Sequence, residues 1–330
     1  MKGRKTALAL MLCFALLPTV HASADFRALV PVGSTIGIEL KSDGVSIVGL
    51  CDVAVDGGSV SPARDAGLQA GDKIVNINGR KIESSADFLT EAAEFSDAPS
   101  VLTVQRGGKD MTFTVTPAEN EHGAYQLGLW LRDGVSGIGT MTYYDPESGS
   151  FGALGHGIND NETGALVDIQ SGTITSSEVV DVVKGSEGTP GELCGKINGD
   201  DVLGQITMNT PCGIFGVLDC GIDGDTLPVA SESEIVLGPA TILSNAGGAE
   251  TREYDVEISR IYRSSHDSRS MLLCITDPEL LSATGGIVQG MSGSPILQNG
   301  KLIGAVTHVL ISDPTRGYGI SMENMLRAAE

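Results

Sequence analysis

The sequence predicts a mainly β chain in two domains, a small α+β module followed by a larger domain of short strands. Three observations carry this. Forty-four glycines punctuate brief Val, Ile and Thr-rich runs along the chain, the pattern of strands joined by tight turns. The 330 residues suffice for two modest cores. Clear helical signals fall only in the first third: a one-turn unit at Ser61-Pro62-Ala63-Arg64-Asp65-Ala66 closed by Gly67, and residues 85–95 with Phe88, Leu89, Ala92 and Phe95 on one face.

Charge and composition narrow the function. Lys and Arg number 21 against 42 Asp and Glu, a formal charge of −21 that repels nucleic acid, so no nucleic-acid partner is expected. Residues 1–24 have the three parts of an export signal: basic Lys2, Arg4 and Lys5, an apolar stretch over 7–17, and small residues at Ala22-Ser23-Ala24. Eleven apolar residues fall short of a span of ~20. The protein is therefore expected outside the cytoplasmic membrane. Beyond the signal an odd number of cysteines remains (Cys51, Cys194, Cys212, Cys220, Cys274), which reads as thiols rather than a disulfide framework. The absence of a Cys-x-x-Cys pair, a close His pair, a Rossmann glycine pattern and a Walker lysine predicts no metal and no cofactor.

Residues 34–117 read as the first module. Strands over 45–50 and 72–77, the latter closed by Asn78-Gly79, precede a hairpin of 101–105 and 111–115 around Arg106-Gly107-Gly108-Lys109. The string Ala66-Gly67-Leu68-Gln69-Ala70-Gly71-Asp72-Lys73-Ile74-Val75-Asn76-Ile77-Asn78-Gly79 resembles the bacterial PDZ signature. Such a domain captures an extended peptide along a sheet edge. Thr35, Ile36, Gly37 and Ile38 are the expected peptide-binding loop, because a glycine between apolar residues lets backbone N–H groups turn toward a ligand. Residues 117–123 read as the linker, which would make 125–330 a separable domain.

Residues 118–330 carry the chemistry. In Gly286-Ile287-Val288-Gln289-Gly290-Met291-Ser292-Gly293-Ser294-Pro295 the glycines expose the Ser292 hydroxyl and free the N–H groups of Gly290 and Ser292 to converge as an oxyanion hole. Followed by strand, turn and strand, this resembles the nucleophile region of chymotrypsin-like proteases. A chymotrypsin-like double β-barrel is the expected fold. Serine needs a base near neutrality. His21 lies in the signal, His122 in the linker, His266 among polar residues, and His308 behind the nucleophile. His156, between glycines at a strand end and a half-domain ahead of Ser292, is the expected base.

Gly152-Ala153-Leu154-Gly155-His156-Gly157-Ile158-Asn159-Asp160, Pro211-Cys212-Gly213-Ile214-Phe215-Gly216 and the stretch from Thr284 through His308 together resemble the SpoIVB peptidases of endospore-forming bacteria, over about residues 34–325. The resemblance implies a signalling serine endopeptidase exported into the space between the forespore membranes. It would cleave itself and a regulator of a membrane-embedded metalloprotease, releasing a late sigma factor. It also implies Asp277 as the acid orienting His156, with Thr307 as the orienting group if Asp277 is out of reach. The competing class is a catalytically silent scaffold that binds peptides through its PDZ domain.

Overall fold

Two long antiparallel strands, Thr35–Leu50 and Leu129–Tyr144, organise the molecule, each running through two domains. The computed structural model describes residues 27–160, 164–263 and 268–330; the expected export signal over residues 1–24 and His266 lie outside these. Residues 35–41 pair with 134–140 on one side, and 36–41 pair with 171–176 on the other. Ser150–Ala153, Gly213–Leu218, Glu192–Thr210 and Ser171–Val183 complete a ring of six strands. Ile36, Ile38, Leu40, Phe151, Ile174 and Ile214 fill it, alternating with outward residues as the pleat requires. Most of this barrel comes from one contiguous stretch. Its first strand does not.

Past residue 41 the same two strands enter the PDZ domain. Gly44 bends one at φ +102, and the ladder slips between Arg132 and Gly134 of the other, where a Cβ on Gly134 would lie 2.6 Å from the Leu40 carbonyl oxygen. Lys73–Ile77, Ser100–Arg106 and Lys109–Val115 extend the sheet from residues 45–46. Helix Ser85–Ala92 starts at a reciprocal capping box of Ser84 and Asp87. It helps cover a core of Val45, Ile47, Ile74, Ile77, Phe88 and Leu102. The core also takes in Leu127, and residues expected as a linker form the small hairpin of Ala118–Glu119 with Tyr125–Gln126. The PDZ domain is thus set into the first barrel between residues 42 and 133, rather than standing in front of the peptidase domain.

The second barrel closes through Gly238–Ser244, Arg252–Ile261, Met271–Ile275, Asp313–Ser321, Lys301–Leu310 and Pro295–Gln298. All of its strands come from residues 238–321. The chain is therefore mainly β, with a PDZ domain and a double β-barrel, as its sequence predicts.

Candidate active site

Ser292 sits on a loop clamped between the barrels. Gly290 and Gly293 take φ of +96 and +101, a region in which side chains are strained. A Cβ on Gly293 would also lie 2.0 Å from the Thr140 carbonyl oxygen, so no other residue fits there. Met291 N–H donates to the Val288 carbonyl (3.1 Å) and Ser294 N–H to the Met291 carbonyl (3.0 Å), folding two successive turns around the nucleophile. Gly293 N–H reaches the Val306 carbonyl at 2.7 Å. Among the described residues, the N–H groups of Gly290 and Ser292 are bonded to nothing else, which leaves both for an oxyanion.

His156 follows strand Ser150–Ala153 of the first barrel. Leu154 (φ +69) and Gly155 (φ +70) turn the chain sharply into the cleft; a non-glycine residue in that region stores about 1–3 kcal/mol of strain, and such strain gathers at working sites. A Cβ on Gly155 would meet Thr307 Cγ2 at 2.9 Å, so this position is glycine for two reasons. Nδ1–H of His156 donates to the Gly157 carbonyl at 2.9 Å, which leaves Nε2 as the lone-pair nitrogen. Burial holds the imidazole below the ordinary histidine range, against a smaller upward pull from that carbonyl. His156 is accordingly neutral near pH 7 and available as a base. The ring of His308 lies 4.9 Å away, tilted by 38°.

Ser292, His156, Gly290, Thr307 and His308 line one cavity of about 710 Å³. The rest of its wall is mostly apolar, including Ile38, Ile138, Ile158, Ile287, Val288 and Val309, and among the described residues it holds no Asp, Glu, Lys or Arg. In a chain of charge −21, the described lining of this cleft is uncharged. The Ser292 hydroxyl donates to the Thr307 carbonyl at 2.6 Å, so it would have to rotate about its Cα–Cβ bond before it could donate to another partner such as His156. Catalytic hydrogen bonds are often unmade before substrate arrives.

Neither residue expected to orient His156 bonds its ring. Asp277 caps helix Pro278–Thr284: Oδ1 accepts the N–H groups of Glu279 and Leu280, both at 2.9 Å, and Oδ2 faces Asp255 N–H at 3.4 Å. It does not line the cavity, and the Gly157 carbonyl takes the place expected for it on Nδ1. Asp-Pro ahead of an apolar turn is itself a helix-start signal. Thr307 is in the cleft, but its hydroxyl donates to the carbonyls of Ser268 (2.9 Å) and Tyr318 (3.2 Å) rather than to His156. Its contribution is the carbonyl that holds Ser292.

The expected peptide-binding loop is also corrected. Thr35, Ile36, Gly37 and Ile38 are in a strand paired on both edges, which leaves no edge for a peptide to add to. Thr35 bonds Asn245 of the second barrel, and Ile38 lines the active-site cavity. The edge that faces helix Ser85–Ala92 belongs to residues 129–132, which pair with 46–50 on one side and, among the described residues, with no strand on the other. Gly128 turns into this edge at φ +75, and a Cβ there would lie 2.2 Å from the Cys51 carbonyl oxygen. Leu127-Gly128-Leu129 has the same apolar–glycine–apolar pattern as the segment it replaces, so the signal was in the sequence. Strand addition against a helix at such an edge is how PDZ domains hold peptides.

The sequence model of the SpoIVB peptidase S55 family matches residues 123–326, and a PDZ domain model matches 34–116. The chain belongs to the SpoIVB peptidase S55 family. It is a PDZ-containing serine peptidase. The PDZ match starts in residues that pair inside the barrel, so sequence likeness and sheet membership part company over 35–41. Short stretches are also similar to the serine protease HTRA1 of Xenopus tropicalis (38% identity, 18% of this chain, 13% of that one) and the zinc metalloprotease RasP of Geobacillus kaustophilus (33%, 20% and 16%). The chain spans about a fifth or less of the length of these curated relatives. Among solved structures, the active form of the Rv3671c protease from M. tuberculosis aligns over 59% of this chain and 73% of that one, at 13% identity and a TM-score of 0.38. The PDZ domain of an SdrC-like protein from Listeria monocytogenes aligns over 27% and 87%, at 25% and 0.22.

Proposed function

We propose that this S55 peptidase is an exported endopeptidase that cleaves itself and a regulator of a membrane-embedded metalloprotease in the forespore intermembrane space, so triggering release of a late sigma factor. Its family supports the sporulation role, and the signal-like residues 1–24 support export. The observation that carries the chemistry is a cleft, uncharged among the described residues, in which a half-buried, Nδ1-protonated His156 faces the same space as Ser292 and two uncommitted N–H groups. Substrate binding turns the Ser292 hydroxyl from the Thr307 carbonyl to His156 Nε2. Oγ attacks the scissile carbonyl carbon, the proton passes to Nε2, and the oxyanion is held by the N–H groups of Gly290 and Ser292. The Gly157 carbonyl steadies the imidazolium, which returns its proton to the leaving amine; water then repeats the sequence on the acyl-enzyme. The apolar, uncharged wall favours a neutral, apolar segment around the scissile bond.

Fluorophosphonate labelling and self-cleavage of the purified chain test this reading. Both are expected in the wild type and absent in a folded Ser292→Ala, with His156→Ala about as damaging. Turnover by purified Ser292→Ala would refute the assignment, and a wild type that is folded yet never labelled would favour the silent scaffold. In a sporulating host, Ser292→Ala is expected to block sigma-factor processing.

A further inference from the structure

We propose that Thr140 is a positioning residue of the peptidase reaction, joining the oxyanion loop to the loop that carries the base. The inference rests on Ser292, His156 and Gly290 acting as described above. Thr140 is fully buried in strand Leu129–Tyr144, and each of its three polar atoms bonds active-site backbone. Its hydroxyl donates to the Gly290 carbonyl at 2.7 Å. Its N–H donates to the Ser292 carbonyl at 3.0 Å, and its own carbonyl accepts Leu154 N–H at 3.2 Å, two residues before His156.

Gly290 and Ser292 are the two residues whose uncommitted N–H groups the proposed reaction assigns to the oxyanion, and Thr140 bonds the carbonyl of each. Gly290 needs such a restraint more than most residues, since a glycine at φ +96 can turn its peptide units at little steric cost. The Leu154 bond ties the same anchor to the strained turn that aims His156. Two residues along the strand, and on the same face, the Thr142 hydroxyl donates to the Gly293 carbonyl at 2.8 Å, repeating the clamp on the far side of the nucleophile. The nucleophile loop belongs to the second barrel and His156 to the first, so their relative position depends on contacts of this kind.

The backbone contacts of Thr140 survive any ordinary substitution, but the hydroxyl does not, so the test isolates it. In the full chain, Thr140→Val is expected to lower kcat on a short apolar peptide by about tenfold to a hundredfold with KM within about twofold, because small misplacements of catalytic groups are that costly. Affinity for a peptide boronate, which forms a tetrahedral adduct at Ser292, should fall in parallel. Thr140→Ser, which restores the donor, should return both to within about threefold. A folded Thr140→Val with unchanged kcat overturns the proposal, as does a loss in Thr140→Ser equal to that in Thr140→Val. If the valine variant does not fold, Thr140→Ala replaces it, and equal kcat in the Ala and Ser variants overturns the proposal. Ser292→Ala is carried alongside: its full inactivity with Thr140 variants unaffected sinks this inference alone, whereas residual turnover in it sinks the assignment of the nucleophile on which the inference rests.

Discussion

Ile36-Gly37-Ile38 and Leu127-Gly128-Leu129 are nearly the same tripeptide placed in opposite circumstances. The first lies near the start of a long strand, with barrel neighbours on both edges and side chains in the protease core. The second is a turn at the mouth of a strand that has one edge open toward helix Ser85–Ala92. Local pattern is equal in the two, and only pairing partners distant in sequence distinguish them. A glycine between apolar residues therefore marks a close backbone approach without saying whether the thing approaching is another strand of the protein or a ligand.

The largest effect that could break this contrast is a charge at Ile38. In a PDZ loop, Ile38→Asp would alter peptide capture and leave hydrolysis of short substrates alone. In the barrel it buries an unpaired carboxylate beside the active-site cavity, at a cost of several kcal/mol against a typical total stability of about 5–15 kcal/mol. Thermal melting is expected to show a large loss and all peptidase activity should go with it. For the same reason residues 125–330 alone, which lack the strand at 35–41, are expected to yield no folded first barrel by circular dichroism and no turnover. A stable, active fragment of that length would show the barrel can close without its outgoing strand.

These outcomes also mark where the sequence was legible. That Ser292 and His156 meet in one cleft was readable because the turns at Gly155, Gly290 and Gly293 that present them rest on backbone torsions and short-range turns that glycine spacing encodes. The fold class followed from strand and turn punctuation. What stayed hidden depends on contacts between distant strands: the splice of the PDZ domain into the barrel, the pairing of residues 35–41, and the three bonds of Thr140. Asp277 was misplaced for a different reason. A helix cap and a catalytic acid both need an aspartate that accepts hydrogen bonds, and the Pro278 that follows it favours the cap.

A medium effect is expected at the other tripeptide. Gly128→Ala places a methyl group against the Cys51 carbonyl at a φ that alanine resists, so the turn that opens the peptide edge must shift. Affinity for a PDZ-bound peptide, measured by fluorescence anisotropy, should fall about tenfold, while kcat/KM for a short substrate stays within about twofold. Equal damage to both would mean that residues 127–132 belong functionally to the active site.

The smallest effect separates the two segments by proton affinity. His156 must be neutral to act as a base, and burial holds its pKa below the ordinary value of about 6.5. Activity is therefore retained above that depressed pKa and lost as pH falls through it, so the acid limb of kcat/KM for the wild type is expected below about pH 6.5. Ile38→Thr keeps the branched shape but adds a hydroxyl to the wall of the cavity that buries His156. A more polar wall weakens the desolvation that lowers the pKa, so the limb should move upward by a fraction of a pH unit, toward the ordinary histidine value. Leu129→Thr, in the PDZ edge and away from that wall, should leave the limb where it was. A matching shift in both variants, read from pH profiles on the same short substrate, would mean that the two tripeptides are not segregated between core and groove.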